Sequence, residues 1–190
     1  MQGAEPSRLV GSDFCCYSLN IMDLFLIVIF LIFILTYAFA GRQGAPWVPT
    51  RGQDVERFLK LAEVKPGQKM FDLGCGDGRL VRAAAQAGAE AEGLEISLLP
   101  FFLANIYRWR LVEKNRIKFS FQSLWKKNFS DADLVYLFLT PHIYPQLKQK
   151  LEKELKPGTK IIAYVWPIIG WDPLKIDNQE GQPKMYLYQI

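Results

Sequence analysis

Cysteine and histidine are scarce in this chain of 190 residues. Cys15 and Cys16 are adjacent, Cys75 stands alone, and His142 is the single histidine. This spacing matches neither a disulfide framework nor a structural zinc site. We therefore expect no metal site and no stabilisation by disulfides.

The sequence also lacks the glycine-lysine-serine or threonine ending of a phosphate-binding loop. Its densest glycine stretch, residues 72–78, reads Asp-Leu-Gly-Cys-Gly-Asp-Gly and is followed by Arg79. The glycines stand at alternate positions, whereas a dinucleotide-binding loop has the spacing G-x-G-x-x-G. Triphosphate hydrolysis and an ordinary dinucleotide site are therefore both disfavoured.

A strong excess of positive charge is missing as well. The chain has 23 lysines and arginines against 19 acidic residues, a formal net charge of +4. Nucleic-acid-binding domains usually carry a larger basic excess. We therefore expect no nucleic acid partner.

One long apolar run stands out near the amino terminus. Residues 21–40 contain one charged residue, Asp23, among leucine, isoleucine, phenylalanine and valine. Twenty helical residues at about 1.5 Å each reach about 30 Å, the thickness of the hydrocarbon core of a bilayer. The run predicts a single transmembrane helix, preceded by a disordered segment at residues 1–20 and followed by a linker or lid at residues 41–52.

The charges that flank the run predict its orientation. Arg42, Arg51 and Arg57 follow it, while acidic residues dominate before it. The positive-inside rule then places the carboxyl-terminal domain in the cytoplasm, or at the mitochondrial inner membrane in a eukaryote. A cleavable signal peptide is the alternative, because residues 38–40 have a small-x-small form. Translation could also start at Met22.

Residues 53–190 alternate between helical and strand patterns, which predicts one α/β domain with a mostly parallel sheet and an antiparallel last strand. The predicted strands are residues 70–73, 89–96, 117–121, 133–139, 160–165 and 184–190, and the predicted helices are 53–64, 80–87, 97–112 and 144–155.

The glycine stretch lies where the first strand passes into a helix. Glycines there permit positive φ values and close approach of a ligand, and the helix amino terminus favours a polar or anionic group. Glu95 ends the second predicted strand, where a carboxylate can accept hydrogen bonds from both ribose hydroxyls of a nucleoside. Loop and acid together predict a nucleoside-containing ligand.

This combination resembles class I S-adenosylmethionine-dependent methyltransferases, which have a Rossmann-like fold. The resemblance implies a cofactor cradle with S-adenosylmethionine as the ligand, formed by Thr50, Asp72, Gly74, Gly76, Gly78, Glu95 and Ser123. Trp47 and Thr50 correspond to a segment that folds over the cofactor in similar enzymes. Ser123 replaces the acid that often holds the adenine amino group, so only a hydroxyl oxygen is available there.

From Pro46 onward the chain is similar to membrane-anchored protein-lysine methyltransferases that modify the adenine nucleotide translocase and the c subunit of ATP synthase. The shared motifs are Trp47-Val48-Pro49-Thr50, residues 72–79, Gly93-x-Glu95, Trp109-Arg110, residues 124–126 and Pro145-Gln146-Leu147. Ser123 and Ser97-Leu98 depart from that family. The resemblance implies a lysine acceptor on a membrane protein. Methylation of a small or lipid-soluble molecule, and a cofactor-binding module without catalysis, remain alternatives.

The acceptor is expected at the end of the fourth strand, where open α/β sheets place their ligand-facing loops. Thr140, Pro141 and His142 follow that strand and are the candidate catalytic residues. His142 could act as a general base toward a lysine, although a lone histidine in a loop is more often merely solvated.

Residues 108–118 are rich in lysine and arginine. The simplest interpretation is a solvated helix face and loop. A contact with anionic lipid headgroups or with an acidic substrate is the alternative.

Overall fold

The computed structural model describes residues 20–43 and 47–190. The predicted disordered segment therefore lies outside the described residues apart from its last position, as do residues 44–46 of the linker. The helices are α1 (Ile21–Gln43), α2 (Gly52–Ala62), α3 (Arg79–Gln86), α4 (Leu98–Trp109) and α5 (Tyr144–Glu154). The strands are β1 (Lys69–Leu73), β2 (Glu90–Glu95), β3 (Ile117–Phe121), β4 (Leu134–Leu137), β5 (Lys160–Tyr164), β6 (Lys175–Asp177) and β7 (Met185–Gln189).

Helix α1 coincides with the apolar run and extends three residues beyond its predicted end at residue 40. The helix is long and apolar enough over Ile21–Phe39 to cross a membrane, and none of that stretch is buried inside the protein. Because leucine, isoleucine and phenylalanine side chains cover it on all sides, water is a poor solvent for this helix.

The seven strands form one sheet in the order β3-β2-β1-β4-β5-β7-β6. Strands β1 to β5 are all parallel to one another. Strand β7 pairs antiparallel with β5 and β6. The expectation of a mostly parallel sheet with an antiparallel last strand is confirmed. The chain moves outward from β1 to β3 and then returns to β4 on the other side of β1, so the point of reversal lies between β1 and β4. Ligands of open α/β sheets bind at such a point.

Helices cover both faces of the sheet. Successive residues of β1 show this, because Met70 packs with α2, α3 and α4 whereas Phe71 packs with α5 on the opposite face. Both side chains are completely buried. Burial on both faces explains why β4 is a continuous apolar run instead of an alternating one, and why adjacent residues of β1 such as Met70 and Phe71 are both apolar.

Two local features differ from the predicted elements. Strand β6 was not predicted, since it has only three residues and is largely exposed at the edge of the sheet. Helix α4 ends at Trp109 rather than near Val112, and a 3-10 helix at Val112–Arg116 follows it. The remaining predicted helices and strands are confirmed to within a few residues.

Candidate cofactor and acceptor site

A cleft of about 790 Å³ opens at the carboxyl ends of β1, β2 and β4. Its walls are formed by residues 47–50, the loop between β1 and α3, residues 94–96 and 122–124, and the end of β4. Six of the ten predicted site residues line the cleft, namely Thr50, Asp72, Gly74, Gly76, Glu95 and Ser123.

The three glycines of the loop all have positive φ, at 86° for Gly74, 55° for Gly76 and 75° for Gly78. A side chain on Gly76 would place its Cβ 2.5 Å from the indole nitrogen of Trp47, and one on Gly78 would lie 2.3 Å from the Phe119 ring. Gly78 is the amino-terminal cap of α3 and does not line the cleft. We expected a ligand to approach the glycine backbone closely. At Gly76 and Gly78 the close neighbours are instead the aromatic side chains of Trp47 and Phe119.

Glu95 holds the loop in place from the end of β2. One carboxylate oxygen accepts a hydrogen bond from the Gly76 N–H at 2.9 Å, and the other accepts from the N–H groups of Ile96 and Ser97 at 2.8 and 2.7 Å. A carboxylate has about four lone-pair sites and three are used here, so Oε2 can still accept a hydrogen bond from a ribose hydroxyl. The predicted ribose contact stays a prediction, and the structure adds a second role for Glu95 as the clamp of the glycine loop.

Among the acids of the cleft, Asp72 has the fewest neighbours that stabilise its ionised form. Its side chain is 3% exposed. Burial, followed by the charges of Glu95 and Asp77, raises the pKa of Asp72 well above its ordinary range. No hydrogen bond or cation among the described residues contributes to that shift. The cleft therefore favours a ligand that brings positive charge to Asp72.

Asp77 differs from Asp72 because Arg79 neutralises it. The Arg79 guanidinium donates to both carboxylate oxygens of Asp77, at 3.0 and 2.7 Å. Burial opposes ionisation of Asp77, but these hydrogen bonds and charges outweigh it and lower its pKa. The same guanidinium donates to the carbonyl oxygen of Thr50. Arg79 thus fastens residues 47–50 onto the glycine loop, as expected of a segment that covers the cofactor.

A second polar cluster fixes the other end of the covering segment. The buried Asp54 carboxylate accepts hydrogen bonds from Tyr164 at 2.6 Å, Arg57 at 2.7 Å and Arg51 at 3.0 Å. Burial raises the pKa of Asp54, and these three donors outweigh that effect and lower it. Arg51 follows Thr50 directly, so the cluster holds the covering segment against β5.

Ser123 lies at the cleft, but its hydroxyl oxygen already accepts a weak hydrogen bond from the Trp125 N–H at 3.4 Å. It caps the short 3-10 helix Leu124–Lys126. The neighbouring Gln122 also lines the cleft and offers both a donor and an acceptor. Gln122 is therefore a better polar partner for a base than Ser123 alone.

Thr140, Pro141 and His142 are placed beside the cleft, not in its wall. Leu139 is the last wall residue of this segment, and the three candidates form the start of the following loop. His142 is exposed, and its Nδ1 lies 2.8 Å from the Thr140 hydroxyl. Their catalytic role stays a prediction.

Two aromatic residues of β4 and its end belong to the site and were missed. Tyr136 and Phe138 line the cleft. The Phe138 ring packs edge-on against Tyr164 at 4.7 Å and stacks on Trp166 at 6.0 Å. They lie in a continuous apolar run, where periodicity does not separate core residues from site residues. Arg79 was also missed, because its partner Thr50 is distant in sequence.

These residues fit S-adenosylmethionine. Its amino-acid end carries an ammonium and its sulfonium is a second positive charge, and Asp72, which no cation among the described residues neutralises, supplies the opposite charge. Polar groups at residues 122–123 and apolar Leu124 line the part of the cleft suited to a base. The sheet order and this cleft define a class I S-adenosylmethionine-dependent methyltransferase.

Comparisons with known proteins support this assignment to the methyltransferases. A family model described as the ANTKMT methyltransferase domain matches residues 72–175. A protein-lysine N-methyltransferase from Saccharolobus islandicus is 38% identical over 157 residues, and the match covers 76% of this chain and 93% of that protein. The chain belongs to the ANTKMT methyltransferase family, and its cofactor is S-adenosylmethionine.

Two further relatives extend the comparison. The rat lysine N-methyltransferase of the ATP synthase c subunit is 37% identical over 137 residues, which are 72% of this chain and 62% of that protein. A crystal structure of an RNA methyltransferase from Salinibacter ruber with S-adenosyl-L-homocysteine has a TM-score of 0.72 and 32% identity, and covers 75% of this chain and 94% of that one. The chain thus spans nearly all of the archaeal relative but less than two thirds of the rat enzyme.

Proposed function

We propose that this protein is a protein-lysine N-methyltransferase whose acceptor lies on a membrane protein. The observation that carries the proposal is the cleft around Asp72 and Glu95, in a chain similar to enzymes named for protein-lysine methylation. One of those relatives is named for a membrane-embedded acceptor, the c subunit of ATP synthase.

The cofactor supplies an electrophilic methyl group on a sulfonium, and the protein must align an uncharged amine with that group and exclude water. Asp72 holds the positive end, and Glu95 and Gln122 orient the nucleoside. The segment at residues 47–50, fastened by Arg79, limits access of water to the cleft. These residues bind and orient, and no covalent intermediate with the protein is required.

An acceptor lysine must lose its proton before transfer, and the pKa of a lysine free in water is about 10.4. Phe138 and Leu139 form an apolar wall at the open end of the cleft, where desolvation lowers the pKa of an amine. In this proposal the His142 Nδ1–H donates to the Thr140 hydroxyl, which leaves Nε2 as the nitrogen that receives the proton. His142 acts in this proposal as the base at the edge of the site.

The aromatic group of Phe138, Tyr164 and Trp166 suits the aliphatic stem and ammonium of a lysine. Trp166 is 37% exposed and stacks on Phe138. It follows Val165, a β-branched residue at φ 74°. Such a conformation is strained and is retained mainly at functional sites. The strained turn presents Trp166 beside the acceptor end of the cleft.

Helix α1 is the proposed single-pass membrane anchor, with the catalytic domain in the cytoplasm or, in a eukaryote, at the mitochondrial inner membrane. A short connection from α1 to residue 47 keeps the cleft near the bilayer surface. Confinement to the membrane raises the effective concentration of embedded acceptors. A membrane-protein lysine near that surface is therefore the expected target.

The test uses the full-length protein, intact membranes from a strain that lacks it, and methyl-labelled cofactor. Label on a lysine of an integral membrane protein, mapped by mass spectrometry, is the expected result. Label extracted into organic solvent would identify a lipid acceptor, and label in the RNA fraction a nucleic acid. Cofactor binding without label in any fraction would indicate a binding module. Each of these three outcomes would overturn the proposal.

A further inference from the structure

Helix α4 presents an unusually apolar face to solvent. Leu99, Phe102, Ile106 and Trp109 recur every three or four residues, and their side chains are 50%, 51%, 51% and 77% exposed. Val112 and Phe121, at 91% and 49%, continue the surface beyond the helix. We refer to these six residues as the α4 patch. Contiguous apolar surface of this kind marks a site of interaction.

The net charge of the chain is concentrated around the same patch. Residues 97–121 contain five of the 23 basic residues and one of the 19 acidic residues, so the remaining sequence holds equal numbers of each. Arg116 and Lys118 pair with Glu90 and Glu92. Within the described ranges, Arg110 and Lys114 form no ion pair with a carboxylate. The positive charges of Arg110 and Lys114 are therefore available to an anionic partner.

The α4 patch is held by contacts on its inner side. The Arg82 guanidinium of α3 lies over the Tyr107 ring at 4.9 Å. Ala104 is completely buried against the sheet. At the end of the helix, Arg108 donates to the Lys114 carbonyl at 3.1 Å. These contacts hold α4 in one orientation. Its apolar face is therefore exposed to water in the folded protein.

The partner is indicated by the position of α1. Helices α1 and α4 lie next to each other in the structure. An apolar helix face with tryptophan at its end and a basic rim is the pattern of a helix that lies in the plane of a membrane interface. Lysines and arginines near an anionic surface strengthen such binding by charge attraction.

We propose that the α4 patch rests on the bilayer beside α1, with phosphate-bearing anionic lipid headgroups around Arg110 and Lys114. This contact fixes the orientation of the domain, which α1 alone cannot do because a single spanning helix is free to rotate about its own axis. The proposal rests on α1 as the anchor and is independent of which group is methylated. Its ligand is a lipid surface and is separate from the cofactor cleft.

The experiment measures the depth of nitroxide labels on the full-length protein in vesicles. Cys15 and Cys16 are replaced by serine, Cys75 is buried, and single cysteines are introduced by Phe102→Cys, by Ile32→Cys within α1 and by Gln149→Cys. Gln149 is exposed on α5, on the opposite face of the sheet, and is the matched control. Vesicles contain phosphatidylcholine alone or mixed with phosphatidylglycerol. Electron paramagnetic resonance measures how often each nitroxide label collides with oxygen, which partitions into the bilayer, and with a water-soluble nickel chelate.

In mixed vesicles the label at position 102 should be accessible to oxygen and protected from nickel, while the label at 149 stays accessible to nickel. Phosphatidylcholine alone should give weaker protection at 102. Nickel access at 102 equal to that at 149, with position 32 protected, would overturn the proposal. Nickel access at position 32 would refute the anchor and the proposal with it, a result distinct from loss of methylation.

Charge reversal separates local docking from total charge. Arg110→Glu with Lys114→Glu should abolish the protection at position 102 in mixed vesicles. Lys65→Glu with Lys153→Glu makes the same change in net charge at exposed positions away from α4 and should leave the protection intact. Equal loss in both pairs would overturn the local contact. Dipolar broadening at position 102 that grows with protein density would point to a second copy and would also overturn it.

Discussion

The two ends of the cleft are built differently. At the cofactor end, buried acids bind backbone N–H groups and arginine, and the glycine loop has a backbone conformation that other residues rarely adopt. At the acceptor end, Pro141 and His142 are exposed at the start of a short 3-10 helix that closely follows Phe138 in the chain. We propose that the first end is a cradle for one cofactor and that the second is an open surface that can be adapted to different acceptors.

Glu95→Ala should break the cofactor end most severely. It removes an acceptor for three backbone N–H groups, each worth about 1.5 to 3 kcal/mol when the partner is charged. We expect loss of detectable cofactor binding by calorimetry and a large drop in the urea midpoint. Glu95→Gln keeps one acceptor oxygen and should retain part of the stability. Unchanged binding in Glu95→Ala would contradict the role of Glu95 as the clamp.

Asp72→Asn separates binding from stability, because the two should change in opposite directions. Above the raised pKa of Asp72 its carboxylate is a buried, uncompensated charge, so removing it should stabilise the free protein there by about 1 to 3 kcal/mol. Cofactor affinity should fall about 30-fold, which corresponds to about 2 kcal/mol. Urea unfolding and calorimetry measure the two effects. If Asp72→Asn instead destabilised the protein without cofactor, the Asp72 carboxylate would be stabilised by other groups in the free protein.

The pH dependence of binding tests the same acid. The pKa of Asp72 is raised in the free protein, and a bound cation lowers it, so binding should release a proton. Affinity should therefore rise with pH through the raised pKa of Asp72 and level off above it. Calorimetry in two buffers of different ionisation enthalpy counts the proton. The Asp72→Asn protein should show a flatter profile, and an equal slope in both proteins would assign the proton to another group.

Arg79→Met should have an intermediate effect, because it releases the covering segment and also leaves the Asp77 carboxylate without its guanidinium partner. We expect cofactor dissociation to accelerate about tenfold or more, because the variant loses the charge-assisted hydrogen bond to Thr50 as well as the pairing with Asp77. Stopped-flow fluorescence measures the dissociation rate. Arg82→Met is the matched control, since Arg82 donates to the Asp77 carbonyl but not to Thr50. Equal acceleration in both variants would argue against a specific latch.

His142→Gln should have the smallest effect on the cofactor end. Affinity for the cofactor should be unchanged, while the methylation rate should fall about tenfold or more near neutral pH if His142 receives the proton. The deficit should shrink at higher pH, where more of the acceptor amine is unprotonated. A pH profile of turnover on membranes measures this. A constant deficit at every pH would assign His142 a positioning role.

Most elements of the fold were predictable because each has a local signal. The periodicity of α2, the proline and glycine that follow it, the apolar residues of β1 and the apolar run of β4 place these elements within a few residues. Strand β6 has no such signal, since three residues at a sheet edge are too few for a pattern. The cleft was predictable through Asp72, the glycines and Glu95, whereas Phe138 and Arg79 were not.

The sequence by itself determined the apolar helix, the succession of helices and strands along the chain, and the glycine loop, because these depend on neighbouring residues. Only the tertiary structure decided what the side chains do. The register that pairs Leu73 with Leu94 brings Glu95 to the loop, where its carboxylate binds Gly76. The packing of α4 leaves Phe102 and Trp109 in solvent although an apolar face usually predicts burial. Such contacts join residues distant along the chain, so no local pattern records them.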